Sequence, residues 1–284
     1  MKKLLNVLLL ISTALLAYHF YSTPQHLSVS EPASKSFVKE DSVDLISSIE
    51  KAAQLARKKL RHAHDSFAIS KADLWGDFEL SSHPDFVRVE VKYAKHAHFY
   101  LRKAAYEAYK RMYEAAKKEG ILLKIGSAGR SFIDQKNIWE SKWKSRKNLV
   151  EPVKRAENIL EYSAMPSTSR HHWGTDIDLN AKSETYFKTA QGKNVYAWLQ
   201  KNAAKFGFYQ PYTAKDKKRP YGYNEEKWHW SYMPLASKFL NFYQKNVHYE
   251  DIKGFLGSET AKELAVIEKY VFGINPDCLA YKGN

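Results

Sequence analysis

The sequence has a single cysteine among 284 residues, Cys278 near its end. A lone thiol closes no intramolecular disulfide, and it excludes a multi-cysteine zinc site and an iron–sulfur cluster. Glycine and proline are sparse, at 12 and 9 residues, too few for a collagen-like or repetitive chain. No internal repeat, low-complexity tract or G-x-S-x-G nucleophile elbow occurs. Acidic residues are in the minority: 31 Asp and Glu against 45 Lys and Arg, a formal charge of +14. No long basic run with interleaved aromatics accompanies that excess, so nucleic acid is not expected as a partner. Scattered solubilising lysines, or attraction to an anionic polymer or lipid surface, account for it.

What is abundant is apolar and aromatic: 44% of the residues are hydrophobic, with 19 Tyr, 14 Phe and 7 Trp. That balance excludes global disorder, and the length suffices for a core without staples. The one long apolar run is N-terminal. Lys2 and Lys3 precede the 14-residue stretch Leu4–Ala17, the length of a secretory h-region; Tyr18, Phe20 and Tyr21 extend it toward an anchor. Residues 1–22 therefore read as a signal peptide or a membrane anchor. Export to the periplasm or cell envelope is expected either way, with membrane contact only through such an anchor.

Residues 23–90 read as a linker and N-terminal helical extension. A polar spacer containing Pro24 and Pro32 comes first, then a helix over about 43–63 capped by Ser42. VRVEVKY (87–93) alternates at period two and predicts a half-buried strand. A helix is expected over about 97–118, where Phe99, Ala105, Ala108, Tyr109, Met112, Tyr113 and Ala116 recur at helical spacing and Gly120 follows. The run ILLKI (121–125) predicts a buried strand. Helices are expected from the Ser131 cap to about 145, then at 152–162, 193–206, 234–246 and 258–271; 175–179 predicts a strand. The sum is an α+β chain: a small central sheet, partly antiparallel, with helices and long loops around it.

Two stretches carry candidate chemistry: Ser169-Arg170-His171-His172-Trp173-Gly174-Thr175-Asp176-Ile177-Asp178 and Glu226-Lys227-Trp228-His229-Trp230. With one cysteine, only histidine and carboxylate are left to bind zinc, and a catalytic site needs three such ligands and an open position. His171, Asp178 and His229 make a His/Asp/His set, and Glu226 lies three residues before a ligand. On spacing alone the signal is weak: H-x6-D and E-x-x-H are generic, and a loop or core histidine explains them as well. His96 and His98, and His62 and His64, diverge on a helix and are poorer candidates. Glu225, one residue from Glu226, reads as a surface charge.

The pattern S-x-H-x-x-G-x-x-x-D followed by E-x-W-H resembles the VanY-type zinc D-alanyl-D-alanine carboxypeptidases, which share a fold with the hedgehog signalling domain. Positions 169, 171, 174 and 178 match the first motif. Asp176 stands where alanine is usual. An upstream segment, Ser127-Ala128-Gly129-Arg130-Ser131-Phe132-Ile133-Asp134-Gln135, is similar to the family's S-G-Y-R-S-x-x-x-Q, with Gly129 in place of tyrosine; Gly207-Phe208 also fits. The resemblance spans roughly residues 95–235. It implies a hedgehog/D-Ala-D-Ala peptidase-like catalytic domain over 91–250 with a C-terminal helical extension at 251–284.

The resemblance further implies one Zn2+ on His171, Asp178 and His229. Glu226 is then the general base toward a metal-activated water, and Arg130 stabilises the developing oxyanion. Ser169, Gln135 and His172 are candidate substrate contacts; neighbouring side chains on an extended chain diverge, so His172 is expected behind the metal or facing substrate. Asp176 shares a strand face with Asp178 and is expected to orient a ligating histidine or to compete for the ion. The implied activity is removal of the terminal D-alanine from peptidoglycan stem peptides. An endopeptidase, dipeptidase or L,D-carboxypeptidase with the same zinc site is the alternative, and a non-catalytic zinc-containing binding module a more distant one. The oligomeric state is not readable.

Overall fold

The computed structural model describes residues 68–283, together with Ser48, Glu50, Lys51, Gln54 and Leu55. The expected signal or anchor and the spacer lie outside the described residues, as does most of the expected 43–63 helix; the five residues described within it are helical. The chain divides into two units, Met1–Phe67 and Ala68–Asn284. No helix among the described residues is long and apolar enough to cross a membrane.

The second unit is α+β. Its centre is a four-stranded antiparallel sheet of β3 (Ile125–Ser127), β4 (Asp176–Leu179), β5 (Phe208–Tyr209) and β6 (His229–Tyr232), in the order β3-β4-β6-β5. A two-stranded antiparallel ribbon, β1 (Phe86–Arg88) with β2 (Tyr100–Arg102), precedes it. β4 is buried at all four positions. Ile177 and Leu179 join Trp230, Phe208, Leu199 and Trp198 in the core.

The helices follow their apolar spacing. α1 (Lys71–Trp75) is closed by a Ser70/Asp73 capping box. α2 (Lys103–Lys118) buries Ala105, Tyr106, Ala108, Tyr109, Met112, Tyr113 and Ala116 on one face. The Tyr109 hydroxyl, 3.1 Å from the carbonyls of Tyr93 and Leu123, is satisfied inside that core. α3 (Phe132–Ser145) starts at the expected cap, where Ser131 and Asp134 form a second capping box. α4 (Pro152–Leu160), α5 (Glu184–Lys188), α6 (Ala190–Asn202) and α7 (Met233–Asn246) follow; α6 continues into a 3-10 turn, Ala203–Phe206, that stops at Gly207 with φ +82°.

Four expectations are corrected. Of the strand expected over 121–125, only Ile125 lies in one, at the start of β3. The 87–93 strand ends at Arg88, and Val91–Tyr93 is a 3-10 turn closed by Tyr93 N–H donating to Glu90 O. The helix expected from 97 begins at Lys103, because residues 100–102 pair with β1 and Arg102 N–H donates to Gly174 O. The helix expected at 258–271 breaks into a 3-10 turn, Ser258–Thr260, and a π turn, Ile267–Val271, with Ala265 left-handed at φ +50° between them. The C-terminal segment is thus mostly turns, with one four-residue helix, α8 (Pro276–Leu279).

Candidate active site

Backbone register brings the candidate residues together. β4 and β6 pair with Asp178 directly opposite His229, Ile177 opposite Trp230 and Asp176 opposite Ser231. Residues two apart on a strand share a face, so Asp176 and Asp178 both lie beside His229. His171 arrives from a buried 3-10 turn, Arg170–Trp173, that precedes β4. Gly174 ends that turn at φ +66°. A Cβ there would sit 2.3 Å from the Phe86 ring, so the left-handed exit and the close packing both require glycine.

His171 Nδ1 lies 2.8 Å from Ala128 O. A carbonyl only accepts, so Nδ1 carries the proton and Nε2 is bare. That bare nitrogen is 3.4 Å from Asp178 Oδ1. His229 Nδ1 is 3.2 Å from the same oxygen and 3.3 Å from Glu226 Oε2. All three ligand residues are buried, and their ligand atoms lie within 4.8 Å of one another. Tetrahedral ligands at zinc distances are separated by roughly 3.3 Å, which is the spacing of both His–Asp pairs. Asp178 Oδ1 is buried and accepts no hydrogen bond. Two imidazoles and a carboxylate around an unsatisfied buried oxygen fit a divalent ion.

The electrostatics agree. Burial and the neighbouring Arg130 push His171 down to about 4, so its imidazole is neutral and able to ligate near neutrality. Burial raises the Asp178 carboxyl, but His171 and His229 outweigh it and hold the group well below the usual range. Burial opposes the charge on His229, yet the nearby carboxylates of Asp176, Asp178 and Glu226 raise it well above an ordinary imidazole, so a metal ion binding here displaces a proton from this ring. Three carboxylates converge on this one ring, a surplus of negative charge suited to a cation.

Glu226 is held by backbone: its N–H donates to Tyr212 O at 2.9 Å, and its carbonyl accepts from His229 N–H at 3.1 Å and from Gln210 Nε2 at 3.2 Å. Burial raises its pKa, partly offset by His229. Arg130 projects between β3 and α3. Its Nη2 donates to Ser127 Oγ at 3.0 Å and lies 3.4 Å from Asp178 Oδ2; its Nη1 donates to Gln135 Oε1 at 2.9 Å.

Ser169, Arg130, His171, Asp178, Glu226 and His229 all line one cavity of about 450 Å³. Gln135 and His172 do not. Gln135 is fully buried behind Arg130, with its amide donating to Ala164 O at 2.8 Å. His172 turns the other way and donates from Nδ1 to Arg130 O at 2.9 Å, buttressing the loop that carries the guanidinium. Glu225 points away, toward Lys227 and the Tyr196 hydroxyl. Cys278 is buried and its thiol is pushed up to about 12 by burial, no nucleophile.

Residues that sequence reasoning missed complete the walls. Tyr212 packs its ring on His229, centroids 4.7 Å apart, and against Tyr223. Arg170 lies 3.3 Å from Asp176 Oδ1 with both side chains fully buried, and Asp176 Oδ2 lies 3.9 Å behind His229 Nε2. The uncommon aspartate at 176 was the available signal for the arginine. Lys142 shares an α3 face with Gln135 and Ile138, at i, i+3 and i+7, a periodicity that was legible.

Residues 98–235 match the family model described as VanY, D-alanyl-D-alanine carboxypeptidase. The YodJ protein of Bacillus subtilis (strain 168) is 36% identical over 140 residues, 47% of this chain and 46% of that protein. A D-alanyl-D-alanine carboxypeptidase of Enterococcus faecalis (strain ATCC 700802 / V583) is 28% identical over 134 residues, 47% of this chain and 48% of its own length. The chain thus spans about half the length of the curated relatives it matches. Among solved structures, that of the LdcB LD-carboxypeptidase is 31% identical over 60% of this chain and 76% of its own, with a TM-score of 0.45; that of VanYB in complex with D-alanine-D-alanine is 21% identical over 61% and 90%, also at 0.45.

Proposed function

We propose that this chain, whose residues 98–235 match the VanY D-alanyl-D-alanine carboxypeptidase family model, is an exported zinc-dependent carboxypeptidase that removes the terminal D-alanine from peptidoglycan stem peptides. The observation that carries the proposal is the convergence, in one cleft, of a His/Asp/His ligand set with a buried carboxylate and a guanidinium.

His171, Asp178 and His229 would hold the ion. Zinc in such a site supplies a Lewis acid that acidifies water and polarises a carbonyl. Glu226 takes the proton of the attacking water on its carboxylate and returns it to the departing amine nitrogen. Its pKa, raised by burial, suits a group that must both accept and donate. Arg130 keeps a fixed positive charge on the cavity wall, facing the oxygen of the scissile carbonyl as it becomes anionic; its bonds to Ser127 and Gln135 hold it there without reorganisation. Ser169 presents a small polar wall to the peptide. Tyr212, Tyr223 and Trp228 line the cleft with aromatic surface that excludes water.

The test is release of D-alanine from a synthetic pentapeptide by purified protein, with and without chelator. Release that stops with chelator and resumes with zinc is expected. Glu226→Ala should lose about 100-fold or more while keeping its metal. No release from any stem peptide by zinc-loaded protein would favour a binding module. Mass spectrometry of digested muropeptides names the bond and separates this activity from endopeptidase, dipeptidase or L,D-carboxypeptidase action.

A further inference from the structure

The cleft holds a lysine that the reaction does not use. Lys142 lines the same cavity as the ligand set, from the last turn of α3. Its side chain is half-buried, and its ammonium donates to the Ser163 hydroxyl. It has no carboxylate partner among the described residues. The cleft's carboxylates are otherwise engaged: Asp178 and Glu226 face His229, and Glu184 pairs with Lys227 at 3.0 Å. The strongest charges that bear on Lys142 are mainly alike: Arg146, Arg130 and Lys182, with Glu226 opposing. Burial, followed by these cations, lowers its pKa. A half-buried ammonium held by one hydroxyl and crowded by other cations is unfavourable in the free protein. An anion entering the cleft removes that cost.

We propose that Lys142 is an anion subsite of this cleft, taking a carboxylate of the bound peptide away from the reacting carbonyl. The proposal rests on the peptidase reading and specifies its substrate class: acidic stem peptides. A stem peptide has two sources of such a carboxylate, the free C-terminus and a side-chain carboxylate upstream of the scissile bond. Lys142 lies seven residues along α3 from Gln135, the residue that braces Arg130, which is about 10 Å of helix axis. One extended residue spans only about 3.5 Å, and the displacement favours the upstream carboxylate. Lys182, on the same cavity wall, adds positive potential.

The experiment is titration calorimetry on zinc-loaded full-length protein carrying Glu226→Gln to stop turnover, with and without Lys142→Met or Lys142→Arg. Three synthetic pentapeptides serve as probes. The first has a side-chain carboxylate on its third residue and a free C-terminus. The second has lysine in place of that residue. The third keeps the side-chain carboxylate but ends in an amide. Lys142→Met should weaken the first by about 10-fold or more, the worth of one charge-assisted hydrogen bond, and Lys142→Arg should restore most of it. An effect confined to peptides with the side-chain carboxylate assigns the upstream source, and one confined to those with a free C-terminus assigns the terminal source.

Equal weakening of all three, no weakening of any, or no binding by the parent overturns the subsite. Chelator-sensitive hydrolysis by the unmodified protein is read separately. Protein that cleaves but ignores Lys142 loses the subsite and keeps the peptidase reading; protein that binds through Lys142 without cleaving does the reverse.

Discussion

Asp178 Oδ1 and His229 Nδ1 meet at 3.2 Å because their residues are directly opposed across the antiparallel β4–β6 pair. Two of the three expected metal ligands are therefore set by sheet register, and slipping one strand by a single residue would turn a ligand to the opposite face. The third, His171, is set by the 3-10 turn and its bond to Ala128 O. Ligands carried by rigid, buried backbone are placed before the ion arrives.

Asp178→Asn should therefore remove metal binding while leaving the strands paired. In thermal denaturation with and without zinc, the unmodified protein is expected to show a zinc-dependent rise in Tm that chelator reverses. The variant should lose that rise and keep a cooperative transition. An undiminished zinc shift in Asp178→Asn would remove this residue from the ligand set.

Behind His229 lies a buried pair, Arg170 and Asp176, both fully enclosed. Removing one member leaves the other charge uncompensated, which typically costs about 3–5 kcal/mol. Asp176→Ala should lose that much in urea denaturation, and adding Arg170→Met should recover most of it. Zinc affinity should separate the two effects. His229 loses the carboxylate that faces its outer nitrogen, so the double variant should bind zinc about 10-fold or more weakly even when its stability returns. Parent-like zinc affinity in the double variant would confine Asp176 to a packing role.

Much of this site was legible only through the family resemblance, since the spacing of His171, Asp178 and His229 by itself is generic. His171, Asp178, His229, Glu226 and Arg130 all reach the cavity that the sequence implied. The elements that were misread are those where non-local pairing overrides local pattern. Phe99 and its neighbours continue the helical spacing of α2, but the Tyr100–Arg102 backbone is claimed by β1 and by Gly174 O. VRVEVKY alternates like a strand, yet it runs out of partner backbone after Val89 N–H bonds to Phe99 O. His172 was placed behind the metal or toward substrate; the structure has it supporting the Arg130 loop, since adjacent side chains in the turn diverge. Tyr212 was missed because its role arises only when the 211–223 loop closes around the ligands, a tertiary fact that no spacing records; Lys142 was missed although its helical spacing from Gln135 and Ile138 was legible.

Gly174 offers a test of the turn that delivers His171. An L side chain at φ +66° costs about 1 kcal/mol, and the added methyl meets the Phe86 ring and the Arg102 side chain. Phe86 cannot retreat freely, because the Arg102 guanidinium stacks on it at 4.9 Å while donating to Trp173 O at 2.8 Å. Gly174→Ala should cost about 3 kcal/mol in urea denaturation and weaken zinc binding by displacing His171. Combining it with Phe86→Leu should return part of the stability, since the steric share is relieved and the backbone share is not. Full recovery would show that the left-handed conformation carries no strain for alanine here.

Acid sensitivity should follow from His172. The ring is fully buried, and its Nε2 has no hydrogen-bond partner. Burial, with Arg130 and His171 nearby, pushes its pKa down to about 4 against the bond to Arg130 O, which raises it. The unfolded chain protonates this ring near pH 6.5 and the folded chain only near 4. Above about pH 6.5 both states are neutral here and the full stability is present. As pH falls from 6.5 toward 4 the unfolded state takes up the proton first, so stability is lost across that window, by about 3 kcal/mol in all. His171, lowered to about 4 as well, contributes in the same direction in chelated protein. Comparing the parent with His172→Gln in chelator isolates one ring: glutamine can still donate to Arg130 O but does not titrate. The variant should lose about 3 kcal/mol less than the parent between pH 7 and pH 4 in urea denaturation. Parallel pH profiles for the two proteins would mean that His172 is protonated in the fold and that its buried Nε2 has found an acceptor.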